Sequence, residues 1–246
     1  MKILNNKKDA IHELKRISAR TNSENNNKVN AIVEEILQEV KIFGDIAVEK
    51  YTKKFDGFHP DPMQVSKDQL KKAWDEIDSD LKRSLKIAHQ RIKKFHDKEI
   101  PQSFTIKSEY GDTVQRKWKP VQNAGIYIPG GRAAYPSTVL MNAIPAKVAG
   151  VREIIMVSPG NTEGEINKTV LAAAHLSGIN KVFRIGGAQA IGALAFGTNQ
   201  INKVDVITGP GNIYVTTAKK LIYGSTGIDS LAGPSEILII ADETAQ

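Results

Sequence analysis

A chain of 246 residues, 41% hydrophobic and 25% charged, is long enough to bury a core, as one large domain or two small ones. The absence of cysteine excludes disulfides, thiolate metal sites and cysteine nucleophiles, and no apolar run is long enough to cross a membrane. A net charge of +7 invites a nucleic-acid reading, but 25 of the 34 basic and 19 of the 27 acidic residues precede Val121, interspersed on helices and without the aromatic-basic alternation that stacks bases, so no nucleic-acid partner is expected.

Met1 to Asp9 has too short an apolar core for a signal peptide and no small-residue cleavage site, which with the missing cysteines predicts a cytoplasmic protein. Residues 9–22 and 28–43 read as helices. In the second, Val29, Ile32, Val33, Ile36, Leu37 and Val40 follow helical spacing and Gly44 offers a stop. A third helix from Asp45 to about Phe55 closes at Asp56-Gly57. Ser66 and Gln69 have the spacing of a capping box before a fourth, and a fifth from Ser79 to about Lys98 buries Leu81, Leu85, Ala88, Ile92 and Phe95. Alternation between Ser103 and Trp118, turning at Tyr110-Gly111-Asp112, predicts a hairpin.

After Pro120 the pattern changes. Apolar runs at 124–128, 153–157, 181–185, 204–208 and 237–241 alternate with helical stretches at 137–149, 165–177, 188–196 and 213–223. Such alternation predicts right-handed crossovers and a Rossmann-like parallel sheet with helices on both faces, so the fold class is α/β behind an N-terminal helical block. Pro145 is expected to kink its helix or to begin a new one.

Three turns at strand ends stand where such a sheet binds ligands. Gly209-Pro210-Gly211-Asn212 supplies the first two glycines of a dinucleotide fingerprint, with Tyr214 at the place of the third. Asp229 lies about the right distance on, but is read as preceding a strand instead of ending one, which leaves the ribose-binding role unsupported. Gly186-Gly187-Ala188-Gln189 is the second turn, where Gln189 offers a donor and an acceptor; a solvated cap residue would look the same. Tyr127 ends the first strand of the sheet, a place where half-buried packing is the commoner role. Ser235 lacks the nucleophile elbow, and His175 sits in an alanine-rich helix where packing is the simpler reading. The five histidines, His12, His59, His89, His96 and His175, show no metal-ligand spacing.

Four blocks in order resemble the signature segments of histidinol dehydrogenases: GIYIPGGRAAYPSTVLMNAIPAKVAGV (Gly125 to Val151), RIGGAQAIGALAFGT (Arg184 to Thr198), VDVITGPGNIYVTTAKK (Val204 to Lys220) and GIDSLAGPSEILIIAD (Gly227 to Asp242). GDIAVEKYTKKFDG (Gly44 to Gly57) also fits. The resemblance implies NAD-dependent oxidation of L-histidinol to L-histidine through the aldehyde, with NAD bound by Tyr127, Gln189 and Asn212 and the substrate touched by Ser235. It implies zinc and a catalytic Glu-His pair in segments beyond Gln246, so no metal or catalytic residue is expected within these 246 residues. Family enzymes are longer homodimers, and this stretch is expected to be an inactive N-terminal portion that dimerises poorly. Its expected divisions are residues 1–126, the helical part of a first large domain; 127–236, the NAD-binding domain; and 237–246, a strand returning to the first. A relative that oxidises another small alcohol and a non-catalytic nucleotide-binding module are the alternatives.

Overall fold

A computed structural model of the chain describes residues 3–18, 23–131, 134–231, 239, 241–242 and 244. Helices α1 (Lys7–Ser18), α2 (Ser23–Phe43) and α3 (Asp45–Asp56) come first. Along α2, Val33, Ile36, Leu37 and Val40 are buried, whereas Ile32, on the edge of that stripe, is 43% exposed. Strand β1 (Gln64–Val65) leads into α4 (Lys67–Glu76), whose capping box forms: the Gln69 N–H donates to Ser66 Oγ and the Ser66 N–H to Gln69 Oε1. Asp78 caps α5 (Ser79–His96) through the Asp80 and Leu81 amides. Strands β2 (Phe104–Lys107) and β3 (Thr113–Arg116) form the expected hairpin, all eight residues exposed.

The rest alternates strand and helix: β4 (Asn123–Tyr127), α6 (Pro136–Ala149), β5 (Glu153–Val157), α7 (Lys168–Leu176), β6 (Lys181–Phe183), α8 (Gly187–Phe196), β7 (Val206–Thr208), α9 (Ile213–Ile222) and β8 (Gly227–Ile228). The sheet order is β1-β6-β5-β4-β7-β8, parallel except for β1, which pairs antiparallel with β6. The first strand of the unit, β4, therefore lies between β5 and β7, and the connections leaving these two neighbours diverge. Such a switch point opens a crevice at the carboxyl ends of the strands.

Strand alternation divides the interior in two. Tyr127, Ile155, Val157, Phe183, Ile185 and Ile207 point to one face, where they pack with α2, α3, α8 and α9. Ala124, Ile126, Ile128, Ile154, Met156 and Val182 point to the other, against α4, α5, α6 and α7. The N-terminal helices thus cover both faces of the sheet, and a line drawn at 126/127 falls inside β4.

Three differences from the expected elements have local causes. Helix α6 runs unbroken through Pro145 to the left-handed Gly150. The bond that Pro145 removes is to the carbonyl of Met141, whose side is 54% exposed, so water can replace it. Strands β1 and β8 were not anticipated, since two residues carry no readable period. The stretch 237–241 and the final turn of the first expected helix, 19–22, fall largely or wholly outside the described residues. No described helix is long and apolar enough to cross a membrane.

Candidate functional site

A cleft of about 550 Å³ opens at the carboxyl ends of the strands, between them and helices α2 and α3. Tyr127, Gln189 and Asn212 all line it, although they come from the ends of β4, of β6 and of β7. Sequence reasoning set these three at the ends of three strands, converging on one edge of the sheet, and the switch-point topology brings them into one cleft.

Tyr127 is buried, and its Oη accepts a hydrogen bond from the Gly187 N–H at 3.2 Å. Burial pushes its hydroxyl up to about 12, opposed by the Gly187 N–H and helped by the neighbouring Asp56 carboxylate. It therefore stays protonated, a donor and not a base. Gly187 takes a positive φ of 62°, and a Cβ there would stand 2.6 Å from Gln189 Oε1, so this turn needs glycine.

Gln189 is 1% exposed, and neither Oε1 nor Nε2 has a hydrogen-bond partner. Leaving one such group unpaired in the interior costs about 1–3 kcal/mol, and native structures tolerate few of them. A ligand that offers both a donor and an acceptor would satisfy the amide. Asn212 is arranged differently. Its Oδ1 caps α9 by accepting from the Tyr214 and Val215 amides at 3.0 and 3.1 Å, which leaves its NH₂ to donate.

The turn that carries Asn212 is held by Gly209 and Asp229, together with Lys219, which sequence reasoning missed. Gly209 has a φ of 112° and passes so close to β4 that a Cβ would stand 2.1 Å from the Tyr127 carbonyl oxygen. Lys219 of α9, 5% exposed, donates to the Gly209 carbonyl at 3.0 Å and pairs with the Asp229 carboxylate. The other oxygen of Asp229 accepts from the Gly209 N–H at 2.9 Å. One ion pair thus grips the Gly209 residue by both its N–H and its carbonyl. Asp229 does follow a strand, β8, contrary to the sequence reading, but its carboxylate is engaged by Lys219 and Gly209.

Also missed were Phe55 and Asp56, read only as the end of α3; both line the cleft. Nothing in the helical period marked them, because their role depends on where α3 ends relative to the sheet. His175 stacks its ring on Trp74, which agrees with packing. Ser235 lies outside the described residues. Among the described residues, no group of three or more His, Asp or Glu could hold a metal ion, so they do not fit a zinc site.

Comparison with known proteins bears on the chain as a whole. The family model of histidinol dehydrogenase matches residues 19–246. The chain is 89% identical over all its 246 residues to a histidinol dehydrogenase of Prochlorococcus marinus (strain MIT 9312), and 78% identical over 245 residues to that of Prochlorococcus marinus subsp. pastoris. It spans 56% and 57% of the length of those two relatives. Among solved structures, a crystal structure of histidinol dehydrogenase from Elizabethkingia anophelis superposes with a TM-score of 0.81 at 41% identity, over 88% of this chain and 50% of that one. A match over all but the first residues, joined to the shared fold, is decisive: the chain belongs to the histidinol dehydrogenase family.

Proposed function

We propose that the cleft binds NAD and that the protein of which this chain forms part oxidises L-histidinol to L-histidine through the aldehyde, in the cytoplasm, as a step of histidine biosynthesis. The single observation that carries the reading is the unpaired amide of Gln189, set beside Tyr127 and Asn212 in one cleft at a sheet switch point. Those residues fit a dinucleotide. Gln189 has an acceptor and donors free, the NH₂ of Asn212 donates, and Tyr127 offers a protonated hydroxyl and an aromatic face. Helices α8 and α9 begin at the cleft, where their positive ends favour a pyrophosphate.

When bound, NAD accepts the hydride that leaves the carbinol carbon. The alcohol gives up a hydride and a proton to become the aldehyde, and the aldehyde hydrate gives up another of each to become the acid. The described residues supply binding and orientation to this sequence. No step through zinc is assigned to them, since they do not fit the metal. Ser235 is the proposed contact to the substrate. In the family reading the complete protein is a homodimer, and residues 1–246 alone dimerise poorly and do not turn over histidinol.

NAD kinetics of a full-length family enzyme carrying these residues test the assignment. Gln189→Ala and Asn212→Ala are each expected to raise KM for NAD about tenfold or more, as for the loss of a polar contact at a buried ligand. Unchanged NAD kinetics in both variants would overturn it. The 246-residue chain assayed beside that enzyme is expected to form no NADH.

A further inference from the structure

The last residue of α3, Asp56, has no role in the reading given above. It lines the cleft beside Tyr127, its Oδ2 is buried without a hydrogen-bond partner, and it makes no ion pair among the described residues. Its position works against its charge, because the carboxyl end of a helix already carries partial negative charge. The groups that share the cleft do not offset this. Among the described residues they are Glu35 of α2, Tyr51 and Lys54 of α3, Tyr127 of β4, and Tyr214 of α9. The one cation among them, Lys54, has its ammonium over the rings of Tyr51 and Phe55, 5.9 and 5.4 Å from their centroids. An unpaired, part-buried carboxylate facing a ligand cleft is an acceptor in want of donors.

We propose that Asp56 is a further ligand-binding residue of this cleft, its carboxylate accepting a hydrogen bond from a ribose hydroxyl of the bound nucleotide. The inference rests on the reading of the cleft as an NAD site and adds to it a residue of a different character. Gln189, Asn212 and Tyr127 are neutral and bind alike across the neutral pH range, whereas Asp56 must be ionised to accept strongly. Burial raises its carboxyl from 3.8 to about 6, so the ionised form is lost within a mildly acidic range. Affinity for the nucleotide then falls as pH drops through that value.

Calorimetric titration of NAD into the 246-residue chain, from about pH 5 to about pH 8, tests this. The wild-type dissociation constant is expected to rise about tenfold toward the acid end, and Asp56→Asn to bind about tenfold more weakly at the alkaline end with a flat profile. ADP-ribose, which keeps both riboses and lacks nicotinamide, is expected to show the same pH dependence. A pH dependence seen with NAD but not with ADP-ribose overturns the ribose contact, and wild-type affinity in Asp56→Asn with its pH dependence retained overturns Asp56 altogether. Gln189→Ala and Asn212→Ala separate the two levels of the argument. Weakened binding in those variants with none in Asp56→Asn sinks only the present inference; unchanged binding in all three, or no NAD binding by the wild type, sinks the cofactor site with it. Should Asp56→Asn not fold, by circular dichroism, the wild-type profile decides, and a flat one overturns the proposal.

Discussion

On the β7 side of the cleft, the groups that hold the turn are matched within the protein. The Gly209 N–H and carbonyl are taken by Asp229 and Lys219, and Asn212 Oδ1 is taken by two amides of α9. On the facing side, where α3 ends and α8 begins, Asp56 Oδ2 and both amide atoms of Gln189 are buried with nothing to bond. Asn212, Gln189 and Asp56 line one cleft, and the Lys219–Asp229 pair supports the turn that carries Asn212. A matched wall is rigid and presents Asn212 in a fixed direction; an unmatched wall stores an interaction that only a ligand can complete. Mutations should therefore act with opposite sign on the two sides, destabilising the first and stabilising the second.

Breaking the matched wall is expected to have the largest effect. Lys219→Met removes the buried cation but leaves the Asp229 carboxylate and the Gly209 carbonyl without it. Loss of one partner of a fully buried pair costs about 3–5 kcal/mol, and since Asp229 keeps 34% exposure the loss here is discounted to about 2–3 kcal/mol. Urea unfolding is expected to show a midpoint lowered accordingly, and Asp229→Asn a loss as well, because the amide oxygen can accept from only one of the two donors, Lys219 or the Gly209 N–H, while its NH₂ faces the other. A Lys219→Met variant as stable as the wild type would show that the pair does not hold the turn.

This wall was only half legible beforehand. Glycines 209 and 211 and the capping chemistry of Asn212 can be read from residue type and spacing, and so can the capping box of Ser66 and Gln69, because each depends on neighbours within a few residues. The strand-helix alternation likewise follows from local period, and it places Tyr127, Gln189 and Asn212 at strand ends. What could not be read is everything that depends on the third dimension. Lys219 looked like one more basic residue in the last turn of α9, and only the path of β8 brings Asp229 to it. Asp56 looked like a helix stop, and only the packing of α3 against α8 puts it at the cleft. Ile32 kept the helical period of its neighbours yet lines the cleft, since a stripe one residue wider than the contact has an edge that faces outward.

On the unmatched wall the sign reverses. Gln189→Leu keeps much of the volume and deletes two unpaired polar atoms, which is expected to stabilise the ligand-free chain by about 1–3 kcal/mol while weakening NAD binding. Thermal unfolding with and without NAD reads both effects in one sample, because bound ligand raises the melting temperature only where it binds. A variant less stable than wild type without ligand would mean that the amide is satisfied in solution, by ordered water for instance, and would remove the contrast between the walls at this position.

The smallest effect is expected at Asp56, and it depends on pH. Its folded carboxyl titrates near 6 and its reference value is 3.8, so the folded state holds the proton more tightly than the unfolded one. Below about pH 4 both states are protonated and burial carries no charge penalty. As pH rises from there to the folded value, the unfolded chain ionises first, stability falls, and the full penalty is present above about pH 6. A shift of about two units on a fully buried group would correspond to about 3 kcal/mol, but Asp56 keeps part of its solvent contact, which reduces the figure to about 1 kcal/mol. Asp56→Asn is accordingly expected to stabilise the ligand-free chain by that amount at pH 7 to 8 and by nothing near pH 4. Urea midpoints for the two proteins across this range provide the measurement. If the difference between them stays constant with pH, the carboxylate is not desolvated in the folded chain, and the unmatched wall contracts to Gln189 alone.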